Sequence, residues 1–211
     1  VNTTTPARVS FKAQMHQVRE EAIVQTVIRL LGEKGYDAMT VDEVAAAVGI
    51  AKASLYKHFP GKEQLAAAAM VHVIKRAQDF LQIVPPEISP VDKLKSVVGW
   101  AMSLQLADEM PSLPSRNSTL RQVLMGNAEY MNGLITLSDQ LGAWITEAQA
   151  QSLINPTLPP LVVLYTLYAR ACDPVVSFLR QGSQYSNAQI VDLVLRTCFE
   201  GLATPPEIRT A

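Results

Sequence analysis

Cysteine is nearly absent from this chain: its 211 residues include two, Cys172 and Cys198. That is too few for a disulfide framework. The pair reads either as small buried apolar side chains or as a redox pair, within or between subunits. Histidine is equally scarce, with only His16, His58 and His72, which leaves little for imidazole base catalysis. Neither an H-E-x-x-H nor a paired-cysteine motif occurs, so no metal and no cofactor is expected. A phosphate loop is missing too, because Gly61-Lys62 is preceded by Tyr56 where such a loop requires glycine. No apolar run approaches the ~18 residues that span a bilayer. The opening residues Val1-Asn-Thr-Thr-Thr-Pro are polar, without the apolar segment of a secretory signal. The expectation is a cytoplasmic chain with no membrane partner and no enzymatic activity.

What is present is helical. Apolar residues make up 48% of the chain and the mean hydropathy is +0.12, enough for one large helical domain or two smaller packed ones. The net charge of −1 hides an asymmetry. Residues 1–80 hold ten Lys/Arg against eight Asp/Glu, and residues 81–211 hold eight against eleven. A mildly basic head on an acidic body suits a protein whose head meets nucleic acid.

Residues Thr40 to Lys62, TVDEVAAAVGIAKASLYKHFPGK, concentrate the signal. Val41, Val44, Ala45 and Val48 fall at i, i+3, i+4 and i+7, one face of a short helix. Thr40 and Glu43 have capping-box spacing. Gly49 sits where that helix must stop, and Ile50 fills the angle beyond it. A second helix opens near Ala51 and runs to Phe59, turning Leu55 and Phe59 inward. Lys52, Ser54, Tyr56, Lys57 and His58 are left for other surfaces, and Pro60-Gly61 ends the helix before another begins at Lys62. Two short helices joined by a tight turn, the second cationic and aromatic on its outer face, suit a recognition helix in a DNA major groove.

Thr40-Val-Asp-Glu-Val-Ala, Val48-Gly-Ile and Leu55-Tyr-Lys-His-Phe-Pro-Gly-Lys62-Glu resemble the DNA-binding domain of the tetracycline-repressor (TetR) family of bacterial regulators. The resemblance covers about the first third of the chain. It implies an all-α fold of about nine helices: a three-helix head with an arm over residues 1–61, and an effector-binding and dimerisation body over 62–211. By the same resemblance, Tyr56 and Lys62 are placed like phosphate contacts and Thr40 like a helix-start contact. Lys52 and Lys57 have the reach for phosphate or guanine edges, His58 for a phosphate, and Ser54 completes the set. Arg8 and Lys12 in the arm have the charge to follow the DNA backbone. Ala51 and Ala53 depart from the hydroxyl or glycine residues common at the start of this helix, which removes possible donors to bases. The family is most often repressive, and the implied partners are a palindromic DNA operator, a small-molecule effector and a second copy of the chain.

Beyond the head the reading rests on pattern. The first helix spans roughly 15–34 and stops at Gly35; the fourth continues from Lys62 to about Val84. Ser89-Pro90-Val91-Asp92 caps a helix that runs to about Glu109. Others cover about 116–125, 128–151, 161–181 and 186–201. Asp173-Pro174 predicts a kink or break near residues 169–172. The 161–181 segment is apolar nearly all round, and a helix of that kind needs partners on more than one side. The family resemblance implies that the last two helices pair with their twins, and a homodimer would bury what remains of this surface, the alternative being a helix central to its own monomer. Trp100, Met125, Tyr130, Trp144 and Tyr168, with Met102, Met131 and Tyr165, are candidate linings of an effector pocket, the alternative being ordinary core packing. Arg121, Arg170 and Asp173 are candidates to orient a polar group on a ligand.

Overall fold

A computed structural model describes residues 11–111, 119–172, 174–182 and 184–202. Among these the regular structure is entirely helical: α1 Phe11–Ala38, α2 Val41–Val48, α3 Lys52–His58, α4 Lys62–Ile83, α5 Pro90–Leu106, α6 Thr119–Gly126, α7 Ala128–Ala150, α8 Pro160–Ala171, α9 Pro174–Gln181 and α10 Asn187–Phe199. The expected break near 169–172 divides the anticipated eighth helix into α8 and α9, which explains ten segments against about nine. The physical reason lies in Pro174. It has no N–H to donate and its φ is fixed, so it starts a helix readily and does not continue one.

The helix ends follow local chemistry. In α1 the helical backbone is interrupted at Gly35, whose φ of 76° is left-handed and costs glycine little. Gly49 ends α2 with the same φ of 76° but a ψ of 34°, the left-handed helical conformation of a helix cap. The Thr40 hydroxyl accepts from the Glu43 N–H at 3.2 Å, and the Glu43 carboxylate accepts from the Thr40 N–H at 3.0 Å. Lys34 and Thr40 together hold the Glu43 carboxyl below its usual range. Helix α5 stops earlier than the periodicity suggests. Asp108 turns left-handed at φ 58°, and the Glu109 N–H returns to the Leu104 carbonyl at 2.9 Å.

Two hydrophobic cores are built along one shared helix. The first joins Ile23, Val27 and Leu31 of α1 to Val44, Leu55 and the first half of α4, and it also takes in Leu120 and Leu124 of α6. The second begins at Ala77 of α4 and gathers Leu94, Met102, Leu141, Ile145, Val176 and Ile190 from α5, α7, α9 and α10. The cores therefore meet within α4, near residues 73–77, and α6 packs with the first of them. Close approach of α4 and α7 depends on Gly133, where an added Cβ would lie 2.7 Å from the Ile74 Cγ2.

Among the described residues one run, Pro160–Gln181, stands out for its apolar character. Its 22 residues, with a window hydropathy of 1.3, are long and apolar enough to cross a membrane by length and composition. It is folded as two helices meeting at Cys172 and carries Arg170 and Arg180. Only 24% of the most apolar window is buried within the subunit.

Candidate nucleic-acid interface and effector cavity

Helices α2 and α3 are held by the first core. Leu55 is fully buried beneath α3, and its replacement by Ala would cost about 2–5 kcal/mol, the range for a buried leucine. With Leu55 anchored, the sequence places Ala51, Lys52, Ala53, Tyr56 and Lys57 on the exposed side of α3, with Ser54 half-buried. The Tyr56 ring is 44% exposed, far more than an aromatic side chain with a purely packing role requires. Lys52 reaches back over the turn to Asp42 at 2.9 Å, and that hydrogen bond raises its pKa. Lys62, the first residue of α4, donates to the Asp37 carbonyl at 3.1 Å and lies 4.5 Å from the centroid of the Tyr36 ring. Its ammonium has three donors, so the carbonyl bond leaves capacity for a phosphate. Thr40 is exposed beside the α2 N-terminus, where free N–H groups favour an anion.

His58 is corrected from an outward to an inward residue. Its side chain is only 6% exposed, and its Nδ1 lies 3.3 Å from the Glu20 Oε1. The cause is register: it follows Leu55 by three residues and so faces α1 rather than solvent. Arg8, the Lys12 side chain and Asp173 fall outside the described residues.

A cavity of about 430 Å3 lies between α4, α5, α7 and α8, within the usual range for small-molecule sites, about 300–1,000 Å3. Trp100, Tyr130, Tyr165 and Tyr168 line it, as does Ile74 of α4. Four of the anticipated lining residues do not. Met125 is 64% exposed near the end of α6, on the head side of the molecule. Trp144 is buried in the second core, a full turn beyond Leu141, with the Lys93 ammonium 5.8 Å from its ring centroid. Met102 and Met131 also lie outside the cavity wall, the former fully buried in the core.

Among the described residues the lining has no Asp, Glu, Lys, Arg or His. Its polar side-chain groups are the hydroxyls of Ser138 and three tyrosines, the Trp100 indole N–H and the Cys172 thiol. Ser138 donates to the Leu134 carbonyl at 2.7 Å, so the Tyr168 hydroxyl, 2.8 Å away, is left as donor to the Ser138 oxygen. Burial raises the pKa of both Tyr168 and Tyr130. Burial likewise pushes the Cys172 thiol up to about 11. A thiol so reluctant to ionise is a poor nucleophile, which favours the apolar reading of Cys172 over the redox one. Arg121 is exposed on α6 and Arg170 is absent from the lining. Sequence reasoning missed Ser138, whose role depends on a tyrosine 30 residues away, and the aliphatic wall contributed by α4.

Residues 23–69 match the family model described as "Bacterial regulatory proteins, tetR family". Among curated relatives, an uncharacterised HTH-type transcriptional regulator of Bacillus subtilis, YerO, is 32% identical over 84 residues, 38% of this chain and 29% of the relative. IcaR of Staphylococcus epidermidis, a negative regulator of the biofilm operon icaADBC, is 37% identical over 62 residues, 29% of this chain and 34% of the relative. The match thus spans about a third of the length of these curated relatives. A solved structure of the regulator FadR from Bacillus subtilis with stearoyl-CoA is similar in fold, with a TM-score of 0.63 at 19% identity, over 87% of this chain and 99% of that one.

Proposed function

We propose that this chain, which belongs to the TetR family of bacterial transcriptional regulators, works as a homodimeric repressor that an apolar small molecule releases from a palindromic operator. The observation that carries the effector half of this reading is the position of the cavity. Met70, Val73, Ile74 and Ala77 of α4 form one wall, and the same helix begins at Lys62, whose ammonium is bonded to the end of α1 in the head. A ligand that displaces the α4 wall would therefore act on the element that carries the head. In a dimer, a small rotation of each head alters the spacing of two recognition helices that must meet half-sites about 34–36 Å apart. The ligand shifts the population only by as much as it prefers the non-binding arrangement.

The ligand class follows from the lining. The described lining holds no Asp, Glu, Lys, Arg or His, so it gives no counter-charge to a carboxylate or phosphate, and burying such a charge unpaired is costly. The occupant is an aliphatic chain or a neutral apolar molecule, with any charged headgroup left outside. Stearoyl-CoA in the fold neighbour makes a long-chain acyl thioester a rational first probe. Tyr168, Tyr130 and Trp100 would border the chain.

Dimerisation is supported by the surface left on α8 and α9. Leu161, Val162, Tyr165 and Phe178 are each more than half exposed, a concentration of large apolar side chains that a second subunit would cover. A twofold protein also suits a twofold operator. On the DNA side, Thr40, Lys52, Ser54, Tyr56, Lys57 and Lys62 are the proposed contacts; His58 is not.

The deciding experiment titrates the purified chain onto DNA from upstream of its own gene and onto a scrambled duplex, across a range of salt, with and without stearoyl-CoA. Selective, salt-sensitive binding by two subunits per site or a multiple, weakened by stearoyl-CoA, supports the reading. Absence of DNA binding even at low salt would refute the operator function. Tight binding untouched both by stearoyl-CoA and by a neutral long-chain alcohol would refute the ligand class alone.

A further inference from the structure

We propose that His16, Glu20 and His58 form a binding site for a divalent transition-metal ion of the zinc type, on the seam between α1 and α3. His16 and Glu20 are four residues apart on α1 and so share one face. His58 is the last residue of α3 and comes to them from 38 positions beyond Glu20. The ligand atoms of all three lie within 4.8 Å of one another.

The geometry is more informative than the grouping. A single oxygen, Glu20 Oε1, lies 3.4 Å from His16 Nδ1 and 3.3 Å from His58 Nδ1. The His58–Glu20 contact is a long hydrogen bond, and both separations lie beyond the commonest range, about 2.7–3.2 Å. Both match the edge of a tetrahedron around zinc, which is about 3.3–3.4 Å for bonds near 2.0–2.1 Å. The imidazole rings are already gathered, with centroids 4.3 Å apart and planes 40° from each other. Two nitrogens and one carboxylate oxygen suit zinc, copper or nickel rather than magnesium or calcium, which prefer oxygen alone.

Access is graded across the site. The His58 side chain is 6% exposed, that of Glu20 39% and that of His16 55%. The buried imidazole is fixed by its helix, and the exposed one can adjust as an ion enters. The solvent side leaves a fourth position for water. An ion here ties the first turns of α1 to the end of the recognition helix, next to Tyr56 and Lys57. Linear motifs could not reveal this site, since the third ligand is distant in sequence.

The test uses the untagged full chain, freed of metal with a chelator and titrated with Zn2+ against a chromophoric indicator. The chain has only three histidines, so each can be replaced in turn. Wild type should bind one ion per subunit at micromolar or lower concentration. His16→Ala should weaken binding at least tenfold, and this exposed residue can be lost without unfolding the head. Glu20→Ala should do the same, whereas His72→Ala should leave affinity unchanged within twofold. In the NMR spectrum two of three imidazole signals should shift on addition of metal, leaving that of His72 in place. Failure of wild type to bind below 0.1 mM Zn2+, a limit of about 10⁻⁴ M set to separate built sites from loose surface association, would overturn the proposal. So would binding that survives intact in His16→Ala.

Discussion

Two glycines on one helix should respond differently to the same substitution, one gaining stability and the other gaining none. Gly142 and Gly133 both lie inside α7, and alanine is favoured over glycine in a helix by about 1 kcal/mol. At Gly142 nothing lies within 4 Å of an added Cβ. Gly142→Ala should therefore stabilise the protein by about 1 kcal/mol, raising Tm by about 2–4 °C for a chain of this size. At Gly133 the added Cβ meets the Ile74 Cγ2 at 2.7 Å, about 1 Å inside the favourable separation of carbon atoms. Ile74 is β-branched and stiff at χ1, so relief requires α4 and α7 to part. Overpacking of this kind costs about 1–3 kcal/mol, which outweighs or cancels the helical gain. Gly133→Ala should be neutral or destabilising by up to about 2 kcal/mol, lowering Tm by as much as about 8 °C. Thermal unfolding followed by circular dichroism, at one fixed subunit concentration, separates the two variants. Combining Gly133→Ala with Ile74→Ala should show strong coupling in a double-mutant cycle. An equal rise in Tm for both glycine variants would refute the close approach of α4 and α7, and with it the rigid wall on which the proposed coupling depends.

Three further outcomes are expected. Lys57→Ala should weaken binding to every DNA sequence tested and flatten log K against log salt by about 1.8 for a dimer, one phosphate per subunit; an unchanged slope in a filter or anisotropy titration would remove Lys57 from the interface. Phe178→Lys, on the exposed face of α9, should convert dimers to monomers in sedimentation and abolish operator binding without loss of helical signal. The Cys172 thiol, held near 11 by burial, should alkylate about two hundredfold more slowly at pH 8 than a free thiol of pKa near 8.5. Its contribution to stability has a definite sign. The unfolded thiol ionises first, so stability falls as pH rises from about 8.5 towards 11, which denaturant titrations at pH 8 and 10 would register.

Much of this arrangement could be read from sequence where the deciding interactions are local. The Thr40–Glu43 capping box, the left-handed stops at Gly35 and Gly49, and the break before Pro174 each depend on residues a few positions apart, and the structure has all of them. Helix ends set by distant partners were read less well. Helix α5 stops at Leu106, short of the expected Glu109, where Arg180 of α9 holds Asp108 at 3.0 Å and Arg76 of α4 holds Glu109 at 2.8 Å. No periodicity in residues 90–109 contains that information.

The same distinction explains the fate of the site residues. Exposure on α3 followed from counting away from Leu55, and the count places Tyr56 and Lys57 outward. Applied consistently it also turns His58 inward, because residues three apart share a face, yet a cationic aromatic cluster read as a unit obscures that step. The cavity was harder still. Aromatic character alone does not distinguish Tyr168, which borders the cavity, from Trp144, which fills the core: both are large, apolar and on amphipathic helices. What separates them is which helix faces which. That is settled by Gly133 drawing α4 against α7 and by α8 closing the other side, so the cavity is a property of four packed helices and of no single segment. An effector held there would touch α4 halfway along its length, where the two cores meet. That junction is the place at which a small displacement can be felt by both.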